Sequence, residues 1–266
     1  MIETRPVWHQ RARALAIEGR AFIDGRYVHA ASSLTFDRVS PIDGRVIAQV
    51  ASTDIADVDR AVAAARRSFE SGAWSRQPPR ERKRVLLRFA ELILEHRDEL
   101  ALLETLDMGK PISDSLAVDV NSTARCIAWY AEAIDKIYDE VAPTGYDALA
   151  LVTREPIGVV AAIVPWNFPL IMAAWKIGPA LAAGNSFILK PSEKSPLTAI
   201  RIAELATRAG IPDGVFNVLP GFGSTAGEAL ALHMDVDCIG FTGSTRTGKL
   251  MLQYSGRSNM KRVWLE

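Results

Sequence analysis

The chain has 266 residues, of which 48% are hydrophobic and 23% are charged, a balance that excludes a disordered, collagenous or coiled-coil protein. Its 31 basic and 31 acidic residues give a net charge of zero, so it has no electrostatic footprint for nucleic acid or for an anionic membrane surface. Two distant cysteines and four histidines without ligand spacing predict neither a disulfide framework nor a metal site.

The first twenty residues carry several charges and no apolar core segment, so we expect no secretory signal and a cytoplasmic protein. Residues 157–175 are mostly apolar, but Pro165, Asn167 and Pro169 interrupt them. Prolines in the middle of such a stretch disfavour a spanning helix, and we expect no membrane partner.

The N-terminal part begins with two Asp-Gly signals for hairpins, over residues 22–28 and 41–47. Three helices are predicted after them. The first starts at Asp54, where Asp57 stands at the spacing of a capping box, the second opens at Pro78-Pro79, and the third runs over residues 114–136. A Pro-Thr-Gly sequence within residues 142–145 is the strongest linker signal.

The second half alternates short, β-branched runs with helical segments. Strands are predicted at 158–164, 186–190, 215–219, 236–241 and 262–265, with helices at 170–183, 196–209, 225–233 and 245–254. This alternation predicts right-handed βαβ units in an α/β fold, a doubly wound parallel, Rossmann-like sheet with a helical N-terminal segment. We divide the chain into residues 1–144, hairpins and helices that belong to the cofactor domain, and residues 145–266, the βαβ dinucleotide-binding core.

The first four predicted parallel strands are each followed by residues that can contact a ligand. The loops are Pro165-Trp166-Asn167-Phe168-Pro169, Lys190-Pro191-Ser192-Glu193, residues 221–227 and residues 241–248. Ligands of open parallel sheets bind outside the carboxyl ends of the strands, and a glycine-rich turn that enters a helix offers free N–H groups to a phosphate. The glycine spacing fits neither G-x-G-x-x-G nor a P-loop. The residues therefore predict a nucleotide or dinucleotide site without choosing between the two.

In order and spacing, these four loops resemble those of the NAD(P)-dependent aldehyde dehydrogenase superfamily. Residues 103–111, with the sequence Leu-Glu-Thr-Leu-Asp-Met-Gly-Lys-Pro, extend the likeness over nearly the whole chain. Residues 129–136 and 261–266 resemble the bacterial enzymes that act on ω-amino, guanidino and γ-glutamylamino aldehydes of polyamine and arginine breakdown. The resemblance implies an oxidoreductase that converts such an aldehyde to the carboxylate through a cysteine hemithioacetal.

The resemblance also implies a cofactor site, with NAD favoured and NADP possible. Lys190 and Glu193 would hold the adenosine ribose, Gly223 would admit the adenine, and Ser244 would contact the pyrophosphate. The negative charge of Glu193 would disfavour a 2′-phosphate. The positions matched to the family's cofactor site are Ile163, Pro165, Trp166, Asn167, Lys190, Ser192, Glu193, Gly223, Phe241, Thr242, Gly243 and Ser244.

Two catalytic roles follow from the same resemblance. Asn167 would donate its side-chain N–H to the oxyanion of the tetrahedral intermediate, and Glu266 matches the general base. The family's nucleophilic cysteine lies beyond the position of Glu266, so we expect this chain to be the cofactor-binding half without the catalytic domain, and to be inactive alone. A full-length form would be a homo-oligomer. The alternatives are a truncated, non-catalytic NAD-binding module and a structural protein without a ligand.

Overall fold

The computed structural model describes residues 5–266. Its strands are β1 (Ala21–Ile23), β2 (Arg26–Val28), β3 (Thr35–Val39), β4 (Val46–Ala51), β5 (Glu140–Ala142), β6 (Ala150–Val152), β7 (Val159–Ile163), β8 (Ser186–Lys190), β9 (Phe216–Val218), β10 (Cys238–Phe241) and β11 (Arg262–Leu265). The expectation of no secretory signal rests partly on residues 1–4, which lie outside the described residues.

The helices connect these strands on both sides of the main sheet. They are α1 (Arg5–Ala14), α2 (Ile55–Ser71), α3 (Pro79–Glu95), α4 (Arg97–Met108), α5 (Ile112–Asp114), α6 (Val120–Ala133), α7 (Pro169–Ala182), α8 (Leu197–Ala209), α9 (Glu228–Leu232) and α10 (Thr245–Arg257), with π-helical turns at Ser115–Asp119 and Gly223–Gly227. None of the helices within residues 5–266 combines the length and the apolar character needed to cross a membrane.

Seven strands form the main sheet in the order β11-β10-β7-β8-β9-β1-β2. The five strands from β11 to β9 are parallel, whereas β1 and β2 add an antiparallel hairpin at one edge. The chain starts this parallel part in its middle, at β7, continues through β8 and β9 on one side, and then crosses to β10 and β11 on the other. The order reverses between β7 and β10, which makes this the switch point where a doubly wound sheet binds its ligand.

Both faces of the sheet are covered, as the continuous apolar runs predict. All five residues of β8 are buried. Phe187 and Leu189 belong to the core cluster that includes residues of α3, α6, α7 and α8, and Ile188 belongs to the opposite cluster with residues of α2, α9 and α10. The α/β fold with a doubly wound parallel sheet is confirmed.

The hairpin at Asp24-Gly25 is confirmed, with both turn residues at positive φ between β1 and β2. The second hairpin is longer than predicted. Its strands are β3 and β4, and residues 40–45 form a six-residue loop rather than a two-residue turn. Ser40 closes this loop, since its N–H donates to the Arg45 carbonyl and its own carbonyl accepts from Gly44.

The prediction of one regular helix over residues 114–136 is wrong in two respects. The run is interrupted by the π-helical turn Ser115–Asp119, and α6 ends at Ala133. The wider turn places both Ser115 and Asp119 in the interior, where the two side chains contact Thr105 and Lys110. Polar anchoring, which apolar spacing does not report, therefore sets the local helix geometry. Helix α4 was not predicted.

Strands β5 and β6 pair as a separate two-stranded ribbon, and the predicted linker at residues 142–145 belongs to it. Its apolar side chains Val141, Leu149 and Leu151 are exposed. Strand β1, from the first 144 residues, pairs with β9 from the second half, so the two segments share one sheet.

Candidate cofactor site

Four of the parallel strands end in one row. Ile163 of β7 is in register with Lys190 of β8 on one side and with Phe241 of β10 on the other, and Phe241 is in register with Leu265 of β11. The loops that follow these residues consequently emerge at the same edge of the sheet, at the switch point. We refer to this row and its loops as the sheet edge.

The loop after β7 is fixed to its neighbour. The Trp166 carbonyl accepts a hydrogen bond from the Ser195 hydroxyl at 3.1 Å, and the Lys194 ammonium lies 5.9 Å from the centre of the Trp166 ring. Asn167 is exposed, and its side chain has no hydrogen bond to any residue of the range 5–266. The loop therefore presents a free amide at the edge while its backbone is anchored.

Lys190 is a buried cation with little compensation. Its side chain is 2% exposed, and its one ionic partner within the described chain is Glu193, whose carboxylate oxygen lies 3.7 Å from Nζ. Burial lowers the pKa of Lys190 to about 8, and the attraction of Glu193 opposes that shift. A buried ammonium ordinarily satisfies its donors, so this arrangement leaves N–H donors available to a ligand.

The π-helical turn Gly223–Gly227 forms another part of the edge. A Cβ atom at Gly227 would lie 3.7 Å from Ile163 and 3.9 Å from Lys190, so Gly227 packs against the edge row. A Cβ atom at Gly223 would meet nothing within 4 Å. Phe222, which precedes the turn, packs on Phe36 with ring centres 5.2 Å apart. The backbone at Gly223 is thus accessible to a flat group. The sequence-based set omitted Gly227, whose contact depends on the fold.

The loop after β10 leads directly into α10. The Thr242 N–H donates to the Ile163 carbonyl, and the Gly243 N–H donates to the Glu266 carbonyl. The Ser244 hydroxyl accepts from the Thr247 N–H at 3.3 Å and caps the helix. A cavity of about 210 Å³ lies here. It is lined by Phe241, Gly243, Ser244, Thr245, Gly248, Lys249, Leu265 and Glu266. The volume suits one part of a ligand, such as a phosphate, at the positive end of the helix dipole.

Glu266 is engaged rather than free. Its carboxylate pairs with the Lys176 ammonium at 2.6 Å and accepts from the Thr242 hydroxyl at 3.0 Å. The hydrogen bond from Lys176 is the main reason why the pKa of Glu266 lies below its ordinary value. In this state the carboxylate is ionised, and its pairing with Lys176 makes it a weaker base than an unpaired glutamate.

Neither cysteine lies at the edge. Cys238 begins β10, so it stands three residues before Phe241, at the opposite end of the strand. Cys126 lies within α6. Burial raises the pKa of Cys126 to about 11 and also raises that of Cys238, so both thiols are predominantly neutral and unreactive near pH 7.

Helix α4 and the residues just after it carry a group of polar side chains that were not among the predicted site residues. Glu104 and Asp107 are fully buried, and Lys110 follows at the same spacing of three. The sequence pattern points the wrong way here, because charged residues three apart in an otherwise apolar segment are expected to face outward, yet these face inward. Glu104 and Asp107 have partners in the first turns of α7 and α8, whereas Lys110 pairs with Asp119.

All thirteen sequence-predicted site positions lie on or directly after the edge row or in the π-helical turn after β9. Two features of this edge fit a dinucleotide: the buried Lys190 beside the Glu193 carboxylate, and the open backbone at Gly223. A doubly wound sheet with such loops at its switch point is typical of nucleotide-binding α/β proteins.

The model of the aldehyde dehydrogenase family matches residues 27–266, and the chain belongs to that family. It is 60% identical over 259 residues to the NADP/NAD-dependent aldehyde dehydrogenase PuuC of Escherichia coli strain K12. The matched region covers 97% of this chain and 52% of PuuC. The chain spans about half the length of the curated relatives it matches.

Two solved structures are similar over 99% of this chain and 53% of their own. A crystal structure of an indole-3-acetaldehyde dehydrogenase complexed with NAD⁺ superposes with a TM-score of 0.99 at 67% identity. The γ-glutamyl-γ-aminobutyraldehyde dehydrogenase of Burkholderia cenocepacia J2315 superposes with a TM-score of 0.98 at 64% identity. The fold is therefore that of the cofactor-binding half of the family.

Proposed function

We propose that this chain supplies the NAD-binding part of an enzyme that oxidises an aldehyde to a carboxylate. The observation that carries the proposal is the buried ammonium of Lys190 at the sheet edge, 3.7 Å from the Glu193 carboxylate. A desolvated ammonium beside a carboxylate can hold the two hydroxyls of a ribose, because the ammonium donates to one hydroxyl and the carboxylate accepts from the other. Family membership and the NAD⁺ complex of a relative support this role.

In this proposal Gly223 admits the adenine to the backbone, and the start of α10 at Ser244 receives the pyrophosphate. The Ser244 hydroxyl therefore has two roles in this proposal: its oxygen caps α10 by accepting from the Thr247 N–H, and its O–H group can donate to the phosphate. Glu193 places a negative charge where NADP would carry its 2′-phosphate, so NAD is the preferred cofactor and NADP the weaker one. NAD supplies the hydride acceptor.

Asn167 and Glu266 are the residues proposed for the chemistry. The free amide of Asn167 donates to the oxyanion that forms at the aldehyde carbon, and Glu266 accepts a proton once Lys176 releases it. The proposed reaction requires a nucleophilic thiol other than Cys126 and Cys238, since neither of these reaches the sheet edge. That same observation favours the second candidate function, a module that binds NAD without catalysis.

The proposed substrate is an ω-amino, guanidino or γ-glutamylamino aldehyde. The printed names of the γ-glutamyl-γ-aminobutyraldehyde dehydrogenase and of the aminoacetaldehyde dehydrogenase of Pseudomonas aeruginosa, 56% identical over 255 residues, support an amine-bearing aldehyde. The indole-3-acetaldehyde dehydrogenase provides the alternative to test. A cytoplasmic homo-oligomer, with residues 1–144 and 145–266 forming one cofactor unit, completes the proposal.

Calorimetric titration with NAD tests the cofactor role. We expect wild type to bind and Lys190→Met to bind about tenfold to a hundredfold more weakly, the range that a hydrogen bond to a charged group commands. Lys136→Met, which removes an ammonium from an exposed position just after the end of α6, is the control and should leave affinity unchanged. Absence of binding by wild type would overturn the proposal.

A further inference from the structure

Glu104 and Asp107 of α4, together with Lys110 just beyond its end, contact the loops of the sheet edge from behind. Glu104 and Asp107 have no solvent exposure, and the Lys110 side chain is 12% exposed. Each of them reaches a different part of the loops that follow β7 and β8. A buried charged or polar group is retained only where its partners satisfy it, so the identity of these partners indicates what the group holds in place.

Glu104 joins the two helices that follow the edge. One of its carboxyl oxygens accepts from the Leu170 N–H at 3.4 Å, and the other is bonded to the Thr198 hydroxyl at 3.0 Å. Leu170 and Thr198 are each the second residue of their helices, α7 and α8. A single side chain therefore satisfies an N–H at the start of α7 and ties it to the start of α8.

Asp107 and Lys110 complete this arrangement on either side. Asp107 accepts from the Leu197 N–H, the first of α8, at 2.8 Å, and it pairs with the Arg38 guanidinium. Lys110 binds both carboxylate oxygens of Asp119 at 2.8 Å, and its Nζ lies 3.8 Å from the centre of the Phe168 ring. Phe168 directly follows the exposed Asn167.

We propose that Glu104 is a positioning residue of the sheet edge, whose carboxyl fixes the first turns of α7 and α8 and thereby holds Asn167 and the Lys190 loop in their relative places. This inference rests on the proposed function, since it assigns a purpose to those two loops. The carboxyl does not contact the ligand site itself and acts through Leu170 and Thr198.

Burial raises the pKa of Glu104 to about 8, with the nearby Asp119 as the second cause, and the hydrogen bonds from Thr198 and Leu170 oppose that rise. In the structure the Thr198 hydroxyl donates to one carboxyl oxygen, and the other oxygen accepts from the Leu170 N–H. Glutamine has nearly the same shape and keeps an acceptor oxygen for Leu170, and its NH2 group can donate to the Thr198 hydroxyl, which accepts as well as donates. Glu104→Gln should therefore preserve the bridge, whereas Glu104→Leu fills a similar volume and removes the hydrogen bonds to both Leu170 and Thr198.

The experiment compares Glu104→Gln, Glu104→Leu and Leu100→Ala in the full 266-residue chain. Leu100 is buried one turn earlier on α4, so its truncation lowers stability without removing a bond to either loop. Hydrogen–deuterium exchange reads residues 166–170 and 195–198, and calorimetry reads NAD affinity. We expect exchange in these segments and the NAD dissociation constant to rise about tenfold in Glu104→Leu, as for loss of a buried hydrogen bond, and not in the other two.

Equal exchange in Glu104→Leu and Leu100→Ala, or failure of Glu104→Gln to restore protection, would overturn the proposal. Altered exchange with unchanged NAD affinity would show a bridge that does not position the site, and would also overturn it. If wild type binds no NAD, the proposed function fails, and the exchange pattern still decides whether the bridge exists. If Glu104→Leu does not fold, Thr198→Val removes the bond on the α8 side alone and should expose residues 195–198.

Discussion

Lys190 illustrates how burial alone prepares a side chain for a ligand. Its pKa of about 8 results first from desolvation, and the carboxylate of Glu193 only partly restores the charged form. The sheet register explains why the ammonium is buried: Lys190 ends β8, between the ends of β7 and β9, and under Gly227. Strained or poorly compensated ionisation of this kind is typical of functional sites.

The ionisation of Lys190 predicts how NAD affinity depends on pH. The ammonium is charged below pH 8 and loses its proton as pH rises through 8, so affinity should be constant at lower pH and fall with an apparent pKa near 8. Calorimetry between pH 6 and pH 10, by titration of wild type and of Lys190→Met, measures it. A profile of the same shape in Lys190→Met would show that another group is responsible.

Glu193 is predicted to determine the choice between NAD and NADP. Glu193→Gln removes a negative charge near the proposed ribose site, so the affinity ratio of NAD to NADP should fall about tenfold, the effect of about 1.4 kcal/mol of screened repulsion. Calorimetry with both dinucleotides measures the ratio. Glu91→Gln removes an equal charge from the exposed face of α3 and is the control. An unchanged ratio in Glu193→Gln would contradict the role.

At the level of elements, the turns between strands and helices determine what the edge can bind. The π-helical turn Gly223–Gly227 brings Gly227 against Ile163 and Lys190 and leaves Gly223 open. The N-terminus of α10 is capped by Ser244, and the glycine at 243 could not carry a Cβ, which would lie 2.6 Å from the Phe241 ring. Packing in the fold therefore requires a glycine at position 243, whereas the backbone at Gly223 is open to a ligand.

Gly223→Ala separates the effect of a side chain at this position on stability from its effect on NAD binding. Because a Cβ at Gly223 meets nothing within 4 Å and its φ is not positive, the variant should be as stable as wild type or up to about 1 kcal/mol more stable. If the adenine approaches this backbone, NAD affinity should nevertheless fall. Urea unfolding and calorimetry measure the two effects. Gly256→Ala in α10, which is equally unobstructed, should leave affinity unchanged.

The elements also show what the sequence could reveal. The β-branched runs predicted all five parallel strands, and Asp54 and Asp57 form the capping box that their spacing indicated. Apolar spacing could not predict the interruption at Ser115–Asp119, because it depends on polar contacts with Thr105 and Lys110. The inward-facing Glu104 could not be predicted because its partners, Leu170 and Thr198, are distant in the chain. Local patterns report which face is apolar, and they do not report buried polar pairing.

For the whole molecule, the order β11-β10-β7-β8-β9 is decisive, because it creates one switch point and collects loops from distant parts of the chain there. Candidate site residues from 163 to 266 meet at this edge because the strands are parallel and end in register. The two thiols remain elsewhere: Cys238 lies three residues before Phe241, about 10 Å along the strand from the edge, and Cys126 lies in α6.

We therefore predict that the 266-residue polypeptide, assayed alone with an amino aldehyde and NAD, forms no NADH. Thiolate attack on the aldehyde requires an ionised and accessible sulfur, and burial raises the pKa of both thiols here. The assay follows absorbance of NADH, with the indole aldehyde as second substrate and Cys238→Ser as control. Turnover that disappears in Cys238→Ser would refute the prediction and identify Cys238 as the nucleophile.

The central claim is that NAD binds at the carboxyl ends of the parallel strands. Hydrogen–deuterium exchange of the 266-residue chain with and without saturating NAD tests it most directly, because it maps binding onto the sequence. We predict added protection in residues 163–170, 190–195, 221–227 and 241–248, and none in the ribbon of β5 and β6. Protection absent from these four segments, or confined to other parts of the chain, would contradict it.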